Sequence, residues 1–166
     1  NRQIIWGGQN FTEFLPPSCG WLFWDKMRSE GLSFSDGELA YTNFNTEIKK
    51  YEYKWDASNI DGYKALNKRI HPTQKPVELH AKILEDFTQE GDLILDCFGG
   101  SGTTLIACEI TGRTCFMMEL DGKYASVILR RAVENGIAPE DIFVERGGQT
   151  IPYADLVKEV ELPDEQ

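Results

Sequence analysis

The first third of the chain alternates short apolar runs with glycine and proline, a pattern typical of strands joined by turns. Branched and aromatic residues are concentrated in four runs, at 3–6, 21–24, 38–43 and 50–55. In the last run, tyrosines alternate with charged residues, so one face of that strand is expected to be exposed. Residues 10–15, with Asn10 as a cap, are expected to form one or two helical turns.

From Pro76 onward, segments with helical spacing alternate with short apolar strands. The first predicted helix buries one stripe of side chains, formed by Val77, Leu79, Ile83, Leu84 and Phe87. Further helices are predicted at 103–111 and 124–135, and strands at 93–96, 115–119 and 142–144. This order predicts a parallel sheet with helices on its faces, hence an α/β fold.

Size and composition describe an ordinary soluble domain. The chain has 166 residues, of which 41% are hydrophobic and 27% charged, and we expect a single domain over 1–156 followed by a frayed acidic tail at 157–166. No apolar run has the length of a membrane span and no signal peptide is visible, which predicts a cytoplasmic protein without a membrane partner. The four cysteines form no C-x-x-C pair, so buried reduced thiols are expected rather than a zinc site.

Charge is unevenly distributed along the chain. The net charge is −10, which by itself argues against a nucleic-acid partner. Residues 49–75 nevertheless contain seven basic and three acidic residues, interleaved with aromatic ones. Lysines for phosphates and rings for stacking make this segment a candidate DNA contact; the alternative is a lysine-protected edge hairpin followed by a solvated surface connection at 56–69. The candidate DNA-binding residues are Lys49, Lys50, Tyr51, Lys54, Lys68 and Arg69.

The stretch L-I-L-D-C-F-G-G-S-G-T-T at 93–104 is the strongest candidate for a functional site. Its first three residues predict a strand buried on both faces. Its glycines allow the backbone to turn sharply and approach a ligand, and Thr103 and Thr104 open a helix whose free N–H groups face the same place. The combination of a strand, a glycine-rich turn and a helix N-terminus predicts a nucleotide-type site.

A loop of this kind can bind one of three ligands: a phosphate group, a dinucleotide or S-adenosylmethionine. A P-loop requires a lysine after the glycines, and none is present. A dinucleotide fold requires a third glycine where Leu105 stands. The third ligand, S-adenosylmethionine, fits a loop with an acid at the strand end, Asp96, and a second acid at the end of the next strand, Glu119, placed to accept both ribose hydroxyls. The alternative for these features is a plain tight turn with a helix-capping acid.

Two motifs together resemble the amino-DNA methyltransferases: H-P-T-Q-K-P at 71–76 and D-C-F-G-G-S-G-T-T at 96–104. The order is similar to the permuted class, in which the catalytic motif and target-recognition region precede the cofactor loop. The resemblance implies a Rossmann-like S-adenosylmethionine-dependent methyltransferase fold, mostly parallel with helices on both faces. It also implies methylation of an exocyclic amine, adenine being favoured over cytosine, on a base flipped out of double-stranded DNA, as in restriction-modification systems. A homodimer is compatible with this resemblance.

The resemblance also assigns roles residue by residue. Four loop residues would line the cofactor: Phe98, Gly99, Gly100 and Gly102. Asp96 would lie near the methionine end, Glu119 would bind the ribose, and three residues of the preceding segment would close the methionine end: Thr73, Gln74 and Lys75. Residues 49–75 would be the target-recognition insert.

One feature departs from the family pattern. Its catalytic signature is Asp, Asn or Ser followed by Pro-Pro and an aromatic residue, whereas the Pro-Pro of this chain, Pro16-Pro17, is preceded by Leu15 and followed by Ser18. By the family order the motif is expected upstream of Asn1, so no catalytic residue is assigned and the chain is expected to be the cofactor-binding portion of the enzyme. The alternative is a catalytically inactive DNA-binding or scaffolding module that retains the fold.

Overall fold

The computed structural model describes residues 2–28, 35–54 and 74–161, with side chains up to residue 157. The chain forms two compact units, Asn1–Ile60 and Asp61–Gln166. A single domain over 1–156, with an insert at 49–75, remains a prediction.

The first unit contains a four-stranded sheet. Its strands are β1 (Ile4–Trp6), β2 (Trp21–Asp25), β3 (Gly37–Thr42) and β4 (Lys49–Glu52). They lie in the order β1-β3-β2-β4, with β3 antiparallel to both neighbours and β4 parallel to β2. All four strands were predicted, with small errors at their ends.

The core of the first unit consists of side chains from one face of these strands, because successive side chains point to opposite faces. Leu22 and Trp24 on β2 are buried while their neighbours are partly exposed, as a strand with one covered face requires. Tyr51 of β4 is also buried, at 5% exposure. The Trp24 indole meets the ring of Trp6 edge-on at 6.4 Å and donates a hydrogen bond of 2.9 Å to the Tyr53 carbonyl, which satisfies its buried N–H.

The helical turns expected at 10–15 differ from the structure in their position and type. A 3₁₀ helix occupies Gly8–Asn10, and Asn10 ends it rather than capping a helix. Residues 11–15 form one hydrogen-bonded turn, in which the Leu15 N–H donates to the Phe11 carbonyl at 3.2 Å. Gly7, at a φ of 73°, supplies the left-handed conformation that starts the 3₁₀ helix.

The second unit begins with the predicted alternation of helix and strand. It contains α1 (Val77–Phe87), β5 (Leu93–Asp96), α2 (Thr103–Thr111), β6 (Thr114–Met117) and α3 (Gly122–Glu134). Strands β5 and β6 are parallel, with Leu93 opposite Thr114 and Asp96 opposite Met117. Gly112 closes α2 in the left-handed conformation, as predicted.

One face of the β5–β6 pair carries the core of this unit. Ile94 and Cys115 pack against buried residues of α1 and α2, which are Val77, Leu84, Ile106, Ala107 and Cys108. On the opposite face Leu93, Leu95 and Phe116 are 70%, 66% and 56% exposed. The prediction of a strand buried on both faces is therefore wrong for Leu93 and Leu95, because α1 and α2 cover only the face that bears Ile94.

The strand predicted at 142–144 is present, but its pairing was predicted wrongly and the elements after it were not predicted. Strand β7 (Phe143–Arg146) pairs antiparallel with β8 (Gln149–Pro152), so it forms a hairpin rather than another strand of a parallel sheet. Gly147 and Gly148, with φ of 61° and 78°, make its two-residue turn. Helix α4 (Tyr153–Glu161) follows; the tail prediction is wrong for 157–161, and residues 162–166 lie outside the described part.

Two further sequence expectations concern thiols and membranes. Cys108 is buried, but Cys19 and Cys97 are exposed, so the expectation of buried thiols is wrong for those two. Among the helices in the described part of the chain, none has the length and apolar character to cross a membrane.

Candidate cofactor site

The glycine loop runs from the end of β5 to the start of α2 and is packed closely from behind. A Cβ on Gly99 would lie 2.8 Å from the sulfur of Met117 and 2.9 Å from Cδ1 of Ile128. Gly102 has a φ of 79°, and a Cβ there would lie 3.0 Å from Cγ2 of Ile128. The Gly99 N–H donates to the Met118 carbonyl at 2.8 Å. Glycine at these positions lets the loop backbone lie against β6 and α3.

Glu119 lies directly against this loop. Its Oε2 accepts a hydrogen bond of 2.7 Å from the Gly100 N–H, and its Oε1 accepts one of 3.0 Å from the Asp121 N–H. The strand was expected to continue to residue 119 but ends at Met117, so Glu119 belongs to the turn before α3. The structure thus brings together Gly100 and Glu119, two residues predicted to bind one ligand.

Asp96, the last residue of β5, is also fixed by the loop. Its Oδ1 accepts from the Phe98 N–H at 3.0 Å, and its Oδ2 accepts from the Thr104 hydroxyl at 2.6 Å. The Phe98 ring is 89% exposed. The carboxylate is therefore held next to the start of α2, and an aromatic face is left at the surface of the loop.

His80 on α1 continues this group of contacts. Its Nδ1 lies 3.2 Å from the Thr104 hydroxyl. Burial, together with the charge of Lys75, lowers the pKa of His80 to about 4, against the opposing influence of Asp96. The imidazole is therefore neutral at physiological pH. His80 is not among the residues that the sequence predicted for the site.

Arg131 of α3 supports the loop from the other side and was also missed. It is 2% exposed, and its Nη1 donates to the Ser101 carbonyl at 2.8 Å, the Ser101 hydroxyl at 3.2 Å and the Thr103 hydroxyl at 3.3 Å. Burial lowers the pKa of Arg131 to about 10, although Glu134 opposes the shift, so the guanidinium stays charged at neutral pH. The available signal was spacing: Arg131 follows the buried Ile128 by three positions.

The segment before α1 approaches the same helix start. Gln74 is buried at 5% exposure, and the Lys75 carbonyl accepts a hydrogen bond of 3.4 Å from the Thr103 hydroxyl. Lys75 therefore adjoins the start of α2, and its role in closing the methionine end remains a prediction. Thr73 lies outside the described residues.

Four of the six predicted DNA contacts belong to the described part of the first unit: Lys49, Lys50, Tyr51 and Lys54. Tyr51 is buried, which counts against it as a stacking residue. The Lys50 ammonium lies 2.9 Å from the Asp25 carboxylate and 2.8 Å from that of Glu52; these contacts raise the pKa of Lys50 and lower that of Asp25. Lys49 lies on β4 and Lys54 follows it, exposed. Lys68 and Arg69 lie outside the described residues.

Comparison with known proteins identifies the family. The N6/N4 methylase family model, described as DNA methylase, matches residues 24–130, more than half of the chain. The chain belongs to this DNA methylase family. The chain is 31% identical over 123 residues to the type II methyltransferase M2.MboI of Moraxella bovis, a match covering 74% of this chain and 44% of that protein. It is 28% identical over 151 residues to the type II methyltransferase M.HinfI of Haemophilus influenzae, covering 85% of this chain and 41% of that one.

A solved structure supports the fold of this chain. The crystal structure of the M1.HpyAVI–SAM complex aligns with a TM-score of 0.60 at 21% identity, covering 78% of this chain and 73% of that one. This alignment confirms the α/β, Rossmann-like fold class, and the family model confirms the predicted family. The chain spans less than half the length of the curated relatives named above.

Proposed function

We propose that this chain binds S-adenosylmethionine at the loop between β5 and α2, as the cofactor-binding portion of a DNA methyltransferase acting on an exocyclic base amine. The observation that carries the proposal is the contact between the Gly100 N–H and the Glu119 carboxylate. It places a bare backbone and an acid side by side at the carboxyl end of two parallel strands, where nucleotide ligands bind in such sheets.

The residues of the loop suit this cofactor. Each oxygen of Glu119 accepts one backbone N–H and keeps a lone pair for a ribose hydroxyl. Asp96 supplies a carboxylate for the ammonium of the methionine end, and Gln74 and Lys75 approach from the preceding segment. When bound, S-adenosylmethionine supplies an activated methyl group on a sulfonium. The chain's own residues orient the cofactor and exclude water around it.

We propose that the groups that contact the target base come from a polypeptide that carries the catalytic motif. This sequence contains no Asp, Asn or Ser followed by Pro-Pro and an aromatic residue. Such a motif accepts hydrogen bonds from the target amine and stacks on the flipped base. Adenine as the target, a flipped base in double-stranded DNA, a homodimer and a cytoplasmic location all remain predictions.

Calorimetric titration tests cofactor binding directly. The purified chain should release or absorb heat with S-adenosylmethionine and with its demethylated product, and Glu119→Ala should weaken both about tenfold or more, since hydrogen bonds to a charged group are lost. Glu109→Ala, which removes an exposed glutamate of α2, is the matched control and should bind as the wild type does. A folded wild-type chain that shows no heat with either ligand refutes the proposal.

A second candidate function is an inactive DNA-binding or scaffolding module that retains the fold. A methyl-transfer assay on double-stranded DNA, performed with the longest natural polypeptide that contains this chain, separates the two. Nucleoside mass spectrometry of the product then distinguishes N6-methyladenine from N4-methylcytosine. Cofactor binding without methyl transfer by that polypeptide would support the inactive module.

A further inference from the structure

Three polar side chains from three elements form a continuous hydrogen-bonded row beside the loop. His80 comes from α1, Thr104 from the first turn of α2 and Asp96 from the end of β5. The row runs from His80 Nδ1 to the Thr104 hydroxyl over 3.2 Å, and from that hydroxyl to Asp96 Oδ2 over 2.6 Å. It ends at a carboxylate that the proposed function places near the methionine end of the cofactor.

The direction of this row follows from the number of protons available. A threonine hydroxyl has one proton, and the short distance to Asp96 shows that it is donated to the carboxylate. The hydroxyl oxygen can therefore only accept from His80. The Nδ1 of His80 must carry a hydrogen, which selects the Nδ1–H tautomer of the neutral ring.

The row also restricts the rotation of Asp96. Its second oxygen accepts from the Phe98 N–H at 3.0 Å, so both oxygens are fixed by donors from the protein. A carboxylate held in this way keeps its remaining lone pairs in set directions. Without the donor from His80, the Thr104 hydroxyl is less polarised and rotates more freely, and the Asp96 carboxylate loses part of its restraint.

We propose that His80 is a positioning residue of the cofactor site, which acts through Thr104 to hold the Asp96 carboxylate in the orientation that receives the ammonium group of S-adenosylmethionine. This inference rests on the proposed function. It explains why a polar ring occupies a position on α1 between the buried residues Leu79 and Ile83, where an aliphatic side chain would avoid the cost of desolvation.

Two ligands separate this role from a general effect on folding. S-adenosylhomocysteine carries the amino-acid group that Asp96 would bind, whereas 5′-methylthioadenosine shares the adenosine and thioether but lacks that group. His80→Leu should weaken S-adenosylhomocysteine about tenfold in calorimetric titration and leave 5′-methylthioadenosine unchanged. His80→Asn, whose amide nitrogen lies near the place of Nδ1, should restore binding to within about threefold of the wild type. Thr104→Val should resemble His80→Leu.

Several results would overturn the inference. Unchanged binding of S-adenosylhomocysteine by His80→Leu and Thr104→Val would do so, and so would an equal loss for both ligands, which indicates a structural role alone. The tautomer gives an independent readout: the chain has two histidines, so imidazole ¹⁵N spectra of wild type and His80→Asn assign the His80 signals, and an Nε2–H tautomer contradicts the proposed direction. Failure of the wild type to bind either ligand refutes the proposed function, while the tautomer still tests the row itself.

Discussion

Three side chains fix the loop between β5 and α2 from three different elements. Glu119 accepts from the Gly100 N–H, Arg131 donates to Ser101, and His80 reaches Asp96 through Thr104. Asp96 and Glu119 could be predicted from the sequence because acids at or just after strand ends fall at one edge of a parallel sheet. His80 and Arg131 were missed, because a search for apolar periodicity assigns a polar residue on a helix to the solvent. For Arg131, its spacing of three positions from Ile128 was the available signal.

Arg131 should be essential to the stability of the second unit. Replacing it with Met leaves the Ser101 carbonyl and hydroxyl without the buried donor, so Arg131→Met should lower the free energy of unfolding by about 2–4 kcal/mol. Urea denaturation followed by circular dichroism measures this change. The neighbouring Arg130 is exposed, so Arg130→Met should change stability by less than about 0.5 kcal/mol. Equal losses for both variants would contradict the role of the buried contacts.

His80 should make stability depend on pH. Its pKa in the folded chain is about 4, below the ordinary value of 6.5. Between these values the unfolded chain binds a proton that the folded chain does not, so stability rises with pH across this window and is lost as pH falls from about 6.5 towards 4. The carboxylate of Asp96 and the ammonium of Lys75 are the charged groups that act on His80.

The comparison of wild type with His80→Asn isolates this effect, because all other titrating groups are common to both proteins. The wild type should lose about 2–3 kcal/mol more than His80→Asn between pH 7 and pH 4.5, measured by urea denaturation at each pH. Parallel losses in the two proteins would show that His80 titrates normally.

Among the helices and strands, local sequence signals were sufficient to predict β5, the glycine loop, α2 and α3. In this part of the chain a strand, a turn and a helix cap follow one another within a few residues. The exposure of Leu93 and Leu95 depends on which elements cover the sheet, and that information lies far away in the chain. The β7–β8 hairpin did have a local signal, Gly147-Gly148 between two strand-like segments. It was missed because the alternation of helix and strand before it favoured another parallel strand.

The glycine at the start of α2 should tolerate no side chain. Gly102 combines a φ of 79° with a Cβ position 3.0 Å from Ile128, so Gly102→Ala should lower the free energy of unfolding by about 1–3 kcal/mol through backbone strain and crowding. It should also weaken binding of S-adenosylmethionine, since the loop must shift.

Gly122 is the matched control for this substitution. It also stands at the first turn of a helix, α3, but has open space around the position of a Cβ. Gly122→Ala should therefore leave stability unchanged or raise it slightly. Thermal melts and calorimetric titrations of both variants make the comparison, and equal behaviour would show that the conformation of Gly102 is not required.

At the scale of the whole chain, the net negative charge would oppose the binding of DNA. The chain carries a net charge of −10, so the lysines of the candidate DNA segment must act locally against a repulsive background. The sequence predicted these lysines from their clustering, but it could not show that Lys50 already contacts two carboxylates. The contact with Asp25 depends on β2 and β4 being neighbours in the sheet, whereas Glu52 lies two residues from Lys50 on the same strand.

The salt dependence of DNA affinity tests which lysines contact phosphates. If Lys49, Lys54, Lys68 and Arg69 each contact one phosphate, the slope of log Kobs against log salt concentration should be about −4. Lys54 is exposed, so Lys54→Met should make the slope shallower by about 1.

Lys50→Met is the control and should leave the slope unchanged, because the Asp25 and Glu52 carboxylates bind its ammonium and hold it away from phosphate. Fluorescence anisotropy with a double-stranded oligonucleotide between about 50 and 200 mM salt measures these slopes. Equal slopes for Lys54→Met and the wild type would favour the solvated edge hairpin over a DNA contact.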